Sequence, residues 1–155
     1  MKLPPFQTLL DRHRDEIFRF LAASVGRDEA EDCFQETFLA ALRAYPDLAE
    51  ASNLKGWLFT IAHRKAIDCH RRRRRTAIPA ADLPEAGEQR EPELVDQALW
   101  ARVTELPPKQ RSAIALRYLE DLPYRTIGEV IGCTEAAARQ NVRAGLIRLR
   151  EDNGT

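Results

Sequence analysis

The sequence predicts an all-α protein: two small helical domains joined by a flexible acidic linker, the second domain containing a helix-turn-helix. Three observations carry this expectation. Apolar residues recur at helical spacing through most of the 155-residue chain, without strand-like alternation or an internal repeat. The stretch "TAIPAADLPEAGEQREP", residues 76–92, holds three prolines and several acids but almost no large apolar side chains, so it reads as a linker between 1–75 and 93–155. Near the C-terminus, "IGCT" puts a glycine-containing turn between a short helical segment and a longer, amphipathic basic one.

Composition narrows the class. With 44% hydrophobic residues the chain can fill cores of this size, and no apolar run approaches the roughly 20 residues a bilayer span requires. The N-terminal "MKLPPFQTLLDRHRDE" meets charge too early for a signal peptide, so a cytoplasmic protein without membrane insertion is expected. Cys33, Cys69 and Cys133 are odd in number and widely separated, which predicts free thiols in a reducing compartment. The net charge of zero conceals segregation. Residues 52–75 carry 8 basic side chains against 1 acidic, whereas residues 76–105 carry 2 against 7. Two electropositive segments flank an acidic one, and this distribution matters for a polyanionic partner.

The elements follow in order. Leu9, Leu10, Ile17, Phe18, Phe20 and Leu21 predict a first helix from about Phe6 to Val25, with Gly26 as its stop. Asp28 with Glu31 resembles a capping box opening a second helix, which Pro46 ends after Tyr45. Phe34, Phe38, Ala41, Leu42 and Tyr45 form its expected core face, leaving Asp32, Gln35, Glu36, Leu39 and Arg43 as a second, mainly polar stripe. After the loop "PDLAEASN", Ser52 or Asn53 caps a third helix that buries Leu54, Leu58, Ile61 and Ala62 and runs on into five consecutive arginines. Beyond the linker, Val95, Leu99, Trp100, Val103 and Leu106 suggest a helix stopped by Pro107 and Pro108, and "KQRSAIALRYLE" suggests another. A short helix from about Tyr124 to Ile131, a turn at Gly132 and a longer helix capped by Thr134 complete the helix-turn-helix.

The basic segments have two readings each. Arg64, Lys65 and Arg71 to Arg75 project around a helical cylinder and suit phosphates approached from one side; as a plain solvated helix end they would also be favourable at the negative dipole terminus. In the last helix, Ala136, Ala137 and Ala138 keep the start narrow, and Arg139, Gln140, Asn141 and Arg143 can meet bases or phosphates in a major groove. Val142, Leu146 and Leu149 belong to the core instead. Trp57 and Phe59 can stack on a base or fill the core, and their helical spacing favours the core.

Three segments together carry a family resemblance over nearly the whole chain: "DEAEDCFQETFLAALRAY", "NLKGWLFTIAHRKAIDCHRRRRR" and "LPPKQRSAIALRYLEDLPYRTIGEVIGCTEAAARQNVRAGLIRLR". In this order, separated by an acidic linker, they resemble the extracytoplasmic-function (ECF) sigma factors of bacterial RNA polymerase. The resemblance implies that residues 1–75 bind core RNA polymerase through Asp32, Gln35, Glu36 and Leu39, and recognise and open the minus-ten promoter element. Asn53, Lys55, Arg64, Lys65, Arg71, Arg72, Arg74 and Arg75 are the expected contacts there, the loop at about 47–53 capturing a base flipped from the non-template strand. It also implies that residues 93–155 read the minus-thirty-five element through Thr134, Ala137, Arg139, Gln140, Asn141 and Arg143. The linker would follow the polymerase's RNA path, and an anti-sigma factor would be a further partner. Ala137 and Asn141 depart from the family's usual Thr/Ser and basic residue, and Gly145 interrupts the helix at a cost of about 1 kcal/mol relative to Ala.

Other classes explain less. A sigma-like protein that only titrates an anti-sigma factor would not need basic helices at both DNA-facing places, and a simple helix-turn-helix repressor leaves Asp32 to Glu36 unexplained. An enzyme is not expected: Glu31, Asp32 and Glu36 lack a partnering His or second ligand cluster. Cys69, His70 and His63 fall short of the four-ligand spacing of a structural zinc site, so no metal or cofactor is expected.

Overall fold

The structure, a computed structural model, describes residues 3–48, 53–75 and 97–154. Among the described residues there are seven α-helices and no strand: α1 (Phe6–Val25), α2 (Arg27–Ala44), α3 (Leu54–Arg75), α4 (Gln97–Val103), α5 (Pro108–Tyr118), α6 (Tyr124–Ile131) and α7 (Glu135–Gly154). They form the two helical domains expected, the second with the helix-turn-helix. The acidic linker lies outside the described residues.

In the first domain α1, α2 and α3 pack around Ile17, Phe20, Leu21, Ala30, Cys33, Ala41, Leu58, Phe59 and Ala62. Phe20 and Phe59 meet edge to face with centroids 5.5 Å apart, which assigns Phe59 to the core. One expected device does not form. Gly26, at φ 88° and ψ 161°, donates its N–H to the Ala22 carbonyl and directly precedes α2, so Asp28 already lies inside the first helical turn and cannot cap it. Leu42 is a second correction: it is 49% exposed, and Cys33 and Thr37 fill the buried face instead. Pro46 ends α2 in a single 3-10 turn, Tyr45–Asp47, where the Tyr45 hydroxyl donates to the Pro4 carbonyl. Asn53 caps α3, its Oδ1 accepting the Gly56 N–H at 3.1 Å.

In the second domain α5 and α6 pack against α7. Pro107 precedes the helix and Pro108 opens α5, where a missing N–H is harmless, so the proline pair starts one helix as well as stopping another. Gly132 adopts the left-handed conformation, φ 80°, that turns the chain between α6 and α7, and the Thr134 hydroxyl accepts the Ala137 N–H at 3.0 Å. Gly145 has a packing role: a Cβ there would stand 2.5 Å from Ile114 Cδ1 of α5. The helix-propensity cost is thus exchanged for close approach of α5 to α7.

The domains also pack on each other, α3 against α6 and α1 against α5. Their contact is polar at its centre. Arg111 of α5, 2% exposed, donates through Nε to the Ser24 hydroxyl of α1 at 3.2 Å, and the buried His63 Nδ1 lies 2.7 Å from the Ser112 hydroxyl. Arg19 grips Glu120 with two hydrogen bonds, 3.1 and 2.8 Å.

Candidate polymerase and nucleic-acid interfaces

The stripe predicted on α2 is a surface. Asp32, Gln35 and Leu39 are exposed, Glu36 is half-buried, and Leu39 and Leu42 are 51% and 49% exposed. Two leucines at i and i+3 beside acids form a patch suited to an amphipathic partner, and Leu42 is the member that sequence reasoning assigned to the core. The i+3 spacing from Leu39 was the available signal. Glu36 is not isolated from the other expected site: it accepts a hydrogen bond from Arg72 Nη2 at 3.4 Å.

The residues expected to meet the minus-ten element do not gather on one face. Helix α3 buries Leu58, Phe59, Ala62, His63, Ala66 and Cys69, and its opposite, outward side carries Arg64 and Arg71 in line with the half-buried Trp57. The Trp57 ring leans on Tyr45, centroids 6.0 Å apart. Lys65 is half-buried, Arg72 turns to α2, and Arg73 is exposed; Arg74 and Arg75 end the helix. At the other end, Lys55 Nζ pairs with Glu16 at 3.2 Å and Asn53 Nδ2 donates to Glu129 of α6 at 3.3 Å. The start of α3 is therefore engaged by the second domain.

Helix α7 presents one side of its first turns to solvent. Arg139, Gln140 and Arg143 are exposed, Thr134 caps, Ala137 is half-buried, and Asn141 Nδ2 donates back to the Ala137 carbonyl at 3.0 Å. Ala138, Val142 and Leu149 are buried and Leu146 partly so, as their spacing predicts. Arg139 bonds Glu135 at 2.8 Å and also lies over the Tyr124 ring, a contact not foreseen from sequence.

Electrostatics sharpen the domain contact. Burial, with Arg111, Lys109 and Arg64 nearby, pushes the His63 imidazole down to about 4, so it is neutral at physiological pH. Burial raises the Glu120 carboxyl more than Arg19 lowers it, while Arg19, hydrogen-bonded to it, is held more firmly protonated. Burial likewise pushes the Cys33 thiol up to about 12 and raises that of Cys69, which also faces Glu29. Neither is poised as a nucleophile. All three cysteines are free, and among the described residues no group of three or more His, Cys, Asp or Glu could hold a metal ion. No helix among them is long and apolar enough to cross a membrane.

Comparison with known proteins defines the class: residues 9–76 match Sigma-70 region 2 and residues 96–149 match Sigma-70, region 4. The chain is thus a sigma factor, a transcription regulator and not an enzyme. It is 31% identical to the RNA polymerase sigma factor CarQ of Myxococcus xanthus over 94% of this chain and 87% of CarQ. It is 30% identical to the ECF RNA polymerase sigma factor SigE of Mycolicibacterium smegmatis over 96% of this chain and 62% of that longer protein. The sigma factor RpoE in the crystal structure of its complex with the anti-sigma factor NepR, from Bartonella quintana, superposes with a TM-score of 0.76 at 25% identity, covering 94% of both chains. The chain belongs to the ECF sigma factors of bacterial RNA polymerase.

Proposed function

We propose that this protein binds bacterial core RNA polymerase in the cytoplasm and directs it to promoters. Residues 1–75 dock the polymerase and read and help open the minus-ten element, residues 76–92 connect, and residues 93–155 read the minus-thirty-five element. The observation that carries this reading is that one chain holds, on separate helices, an exposed acidic and leucine-bearing stripe on α2 and exposed basic faces on α3 and α7. Asp32, Gln35, Glu36, Leu39 and Leu42 serve docking. Arg64 and Arg71, with the arginine tail, follow phosphates of the opened strand, and Arg139, Gln140 and Arg143 enter the upstream major groove. An anti-sigma factor is the expected antagonist, a reading supported by the NepR complex of the similarly folded RpoE.

Geometry adds a requirement. Elements centred about 25 base pairs apart are about 85 Å apart at 3.4 Å per base pair. A compact 155-residue chain is about 40 Å across. The packed domains cannot touch both elements at once, and Asn53 is occupied by Glu129 while they are packed. Promoter engagement therefore requires the domains to part, and the 17-residue linker, 76–92, has a fully extended reach of about 60 Å.

The test is run-off transcription by sigma-free core polymerase on pooled promoters, with and without the protein. New discrete transcripts sharing spaced upstream and start-proximal elements are expected. Polymerase that is bound but silent would indicate a sigma-like protein that titrates an anti-sigma factor; absence of binding would overturn the proposal.

A further inference from the structure

The geometry points to Tyr124 as a positioning residue for promoter reading: its ring holds the Arg139 guanidinium in place before DNA arrives. This inference rests on the reading of α7 as the minus-thirty-five helix and goes beyond it, because Tyr124 lies on α6 and outside the exposed face of α7.

The ring is firmly held. Tyr124 is the first residue of α6, follows Pro123 at φ −71° and ψ 154°, and packs against the core while staying partly open to solvent. The loop before it is tied twice to α5: Leu122 donates its N–H to the Leu116 carbonyl at 3.1 Å, and its own carbonyl accepts from Arg117 Nη1 at 3.1 Å. The same Arg117 has its Cζ 4.4 Å from the Tyr124 ring centroid. A ring fixed by a tied loop, a helix start and a cation is a rigid platform.

Arg139 needs such a platform. Its side chain is 56% exposed and would otherwise sample many rotamers, losing that freedom on binding. Two contacts hold it: Nη2 bonds Glu135 Oε2 at 2.8 Å, and Cζ lies 5.2 Å from the Tyr124 centroid. The carboxylate occupies one donor. Contact with the ring uses none, because a cation is attracted to the π face and not to a lone pair. Most of the five guanidinium N–H groups therefore remain available for a guanine edge or a phosphate. Two arginines drawn to one ring also concentrate positive charge beside the recognition helix, which suits an approaching polyanion.

An exposed cation–π contact corresponds to about a two- to fivefold preference for the held rotamer. The effect should appear as lost discrimination at the base pair Arg139 faces, not as lost affinity everywhere.

The experiment uses the full chain assembled with core polymerase, competing for promoters that differ at single upstream base pairs. Tyr124→Leu should cut the preference at one base pair by about two- to fivefold while leaving the salt slope unchanged. Tyr124→Phe, which keeps the π face, should restore it. In an Arg139→Ala background Tyr124→Leu should have no further effect. Glu135→Gln, which weakens the charge-assisted bond on the other side of Arg139 and leaves the core intact, should shift the same base pair; Tyr124→Gln, which removes the π face from a half-exposed position, gives the same reading as Tyr124→Leu if that variant fails to fold. A profile unchanged by Tyr124→Leu, an equal loss at all positions, an effect persisting without Arg139, or a Glu135→Gln change at a different position would overturn the inference. A wild-type holoenzyme with no upstream preference would sink both this inference and the reading of α7; a wild-type preference indifferent to Tyr124 and Glu135 would sink this one alone.

Discussion

His63 makes the domain contact sensitive to acid. The imidazole is 4% exposed, bonded to Ser112 of α5, and faced by Arg111, Lys109 and Arg64, all cationic. Its value of about 4 in the closed form lies well below the ordinary 6.5 it would regain in solvent. The sign follows. A group whose protonation is disfavoured by closure contributes fully above pH 6.5, and that contribution is lost as pH falls through 6.5 towards 4. Because Arg64 stays beside His63 on α3 when the domains part, the gap corresponds to at most about 3 kcal/mol in total, and to at most about 1.4 kcal/mol, or tenfold in the closed-to-open ratio, by about pH 5.5. Glu120 acts in the opposite direction, since burial raises its carboxyl and acid therefore favours closure at that point. The His63 contribution is isolated by comparing the wild type with His63→Gln, whose amide can still bond Ser112. Small-angle scattering supplies the readout: a compact chain has a radius of gyration of about 15 Å, and separated domains exceed it. Between about pH 7.5 and 5.5 the wild type should expand more than His63→Gln, with helicity unchanged in both. Identical pH responses of the two proteins would refute the reasoning.

Other consequences are as direct. Reversing Asp32 and Glu36 to Lys should abolish co-purification with core polymerase while costing the fold no more than the partly exposed Glu36–Arg72 pair, about 1 kcal/mol; Leu39→Ser with Leu42→Ser should abolish it without lowering the melting temperature, and normal binding by either would remove α2 as the docking face. Replacing Arg64 and Arg71 by Ala should reduce the slope of log affinity against log salt by about one to two for promoter binding by the holoenzyme, whereas an unchanged slope would return them to solvated surface. Gly145→Ala should stabilise the chain only when Ile114 is first trimmed to Val: the helix gains about 1 kcal/mol from Ala, but the new Cβ meets Ile114 Cδ1 at 2.5 Å. Equal melting shifts in both backgrounds would deny that contact.

The helical architecture was legible because its signals are local. The bounds of α1 and α6 follow from apolar spacing and from Gly26 and Gly132, and the caps at Asn53 and Thr134 from side chains that suit them. What misled was competition between adjacent signals: Asp28 looked like a cap, but Gly26 had already started the helix. Leu42 looked like core because α2 is apolar over more than one face. The domain contact was not legible at all, since the pairs His63 with Ser112, Arg19 with Glu120 and Ser24 with Arg111 join residues far apart in sequence. Of the candidate site, the helices that carry the expected residues were legible in the sequence, and the partners those residues hold in the fold were not. Arg72 and Arg139 carry the charge expected of DNA contacts, and only the fold reveals that the first pairs with Glu36 and the second sits on Tyr124.

The most direct test is the distance between spin labels on the exposed surfaces of α2 and α7, measured in the free protein and in a transcribing promoter complex. The domains should be in contact in the first state and tens of ångströms further apart in the second, with α2 on the polymerase and α7 on upstream DNA. An unchanged short distance in an active complex would contradict the account.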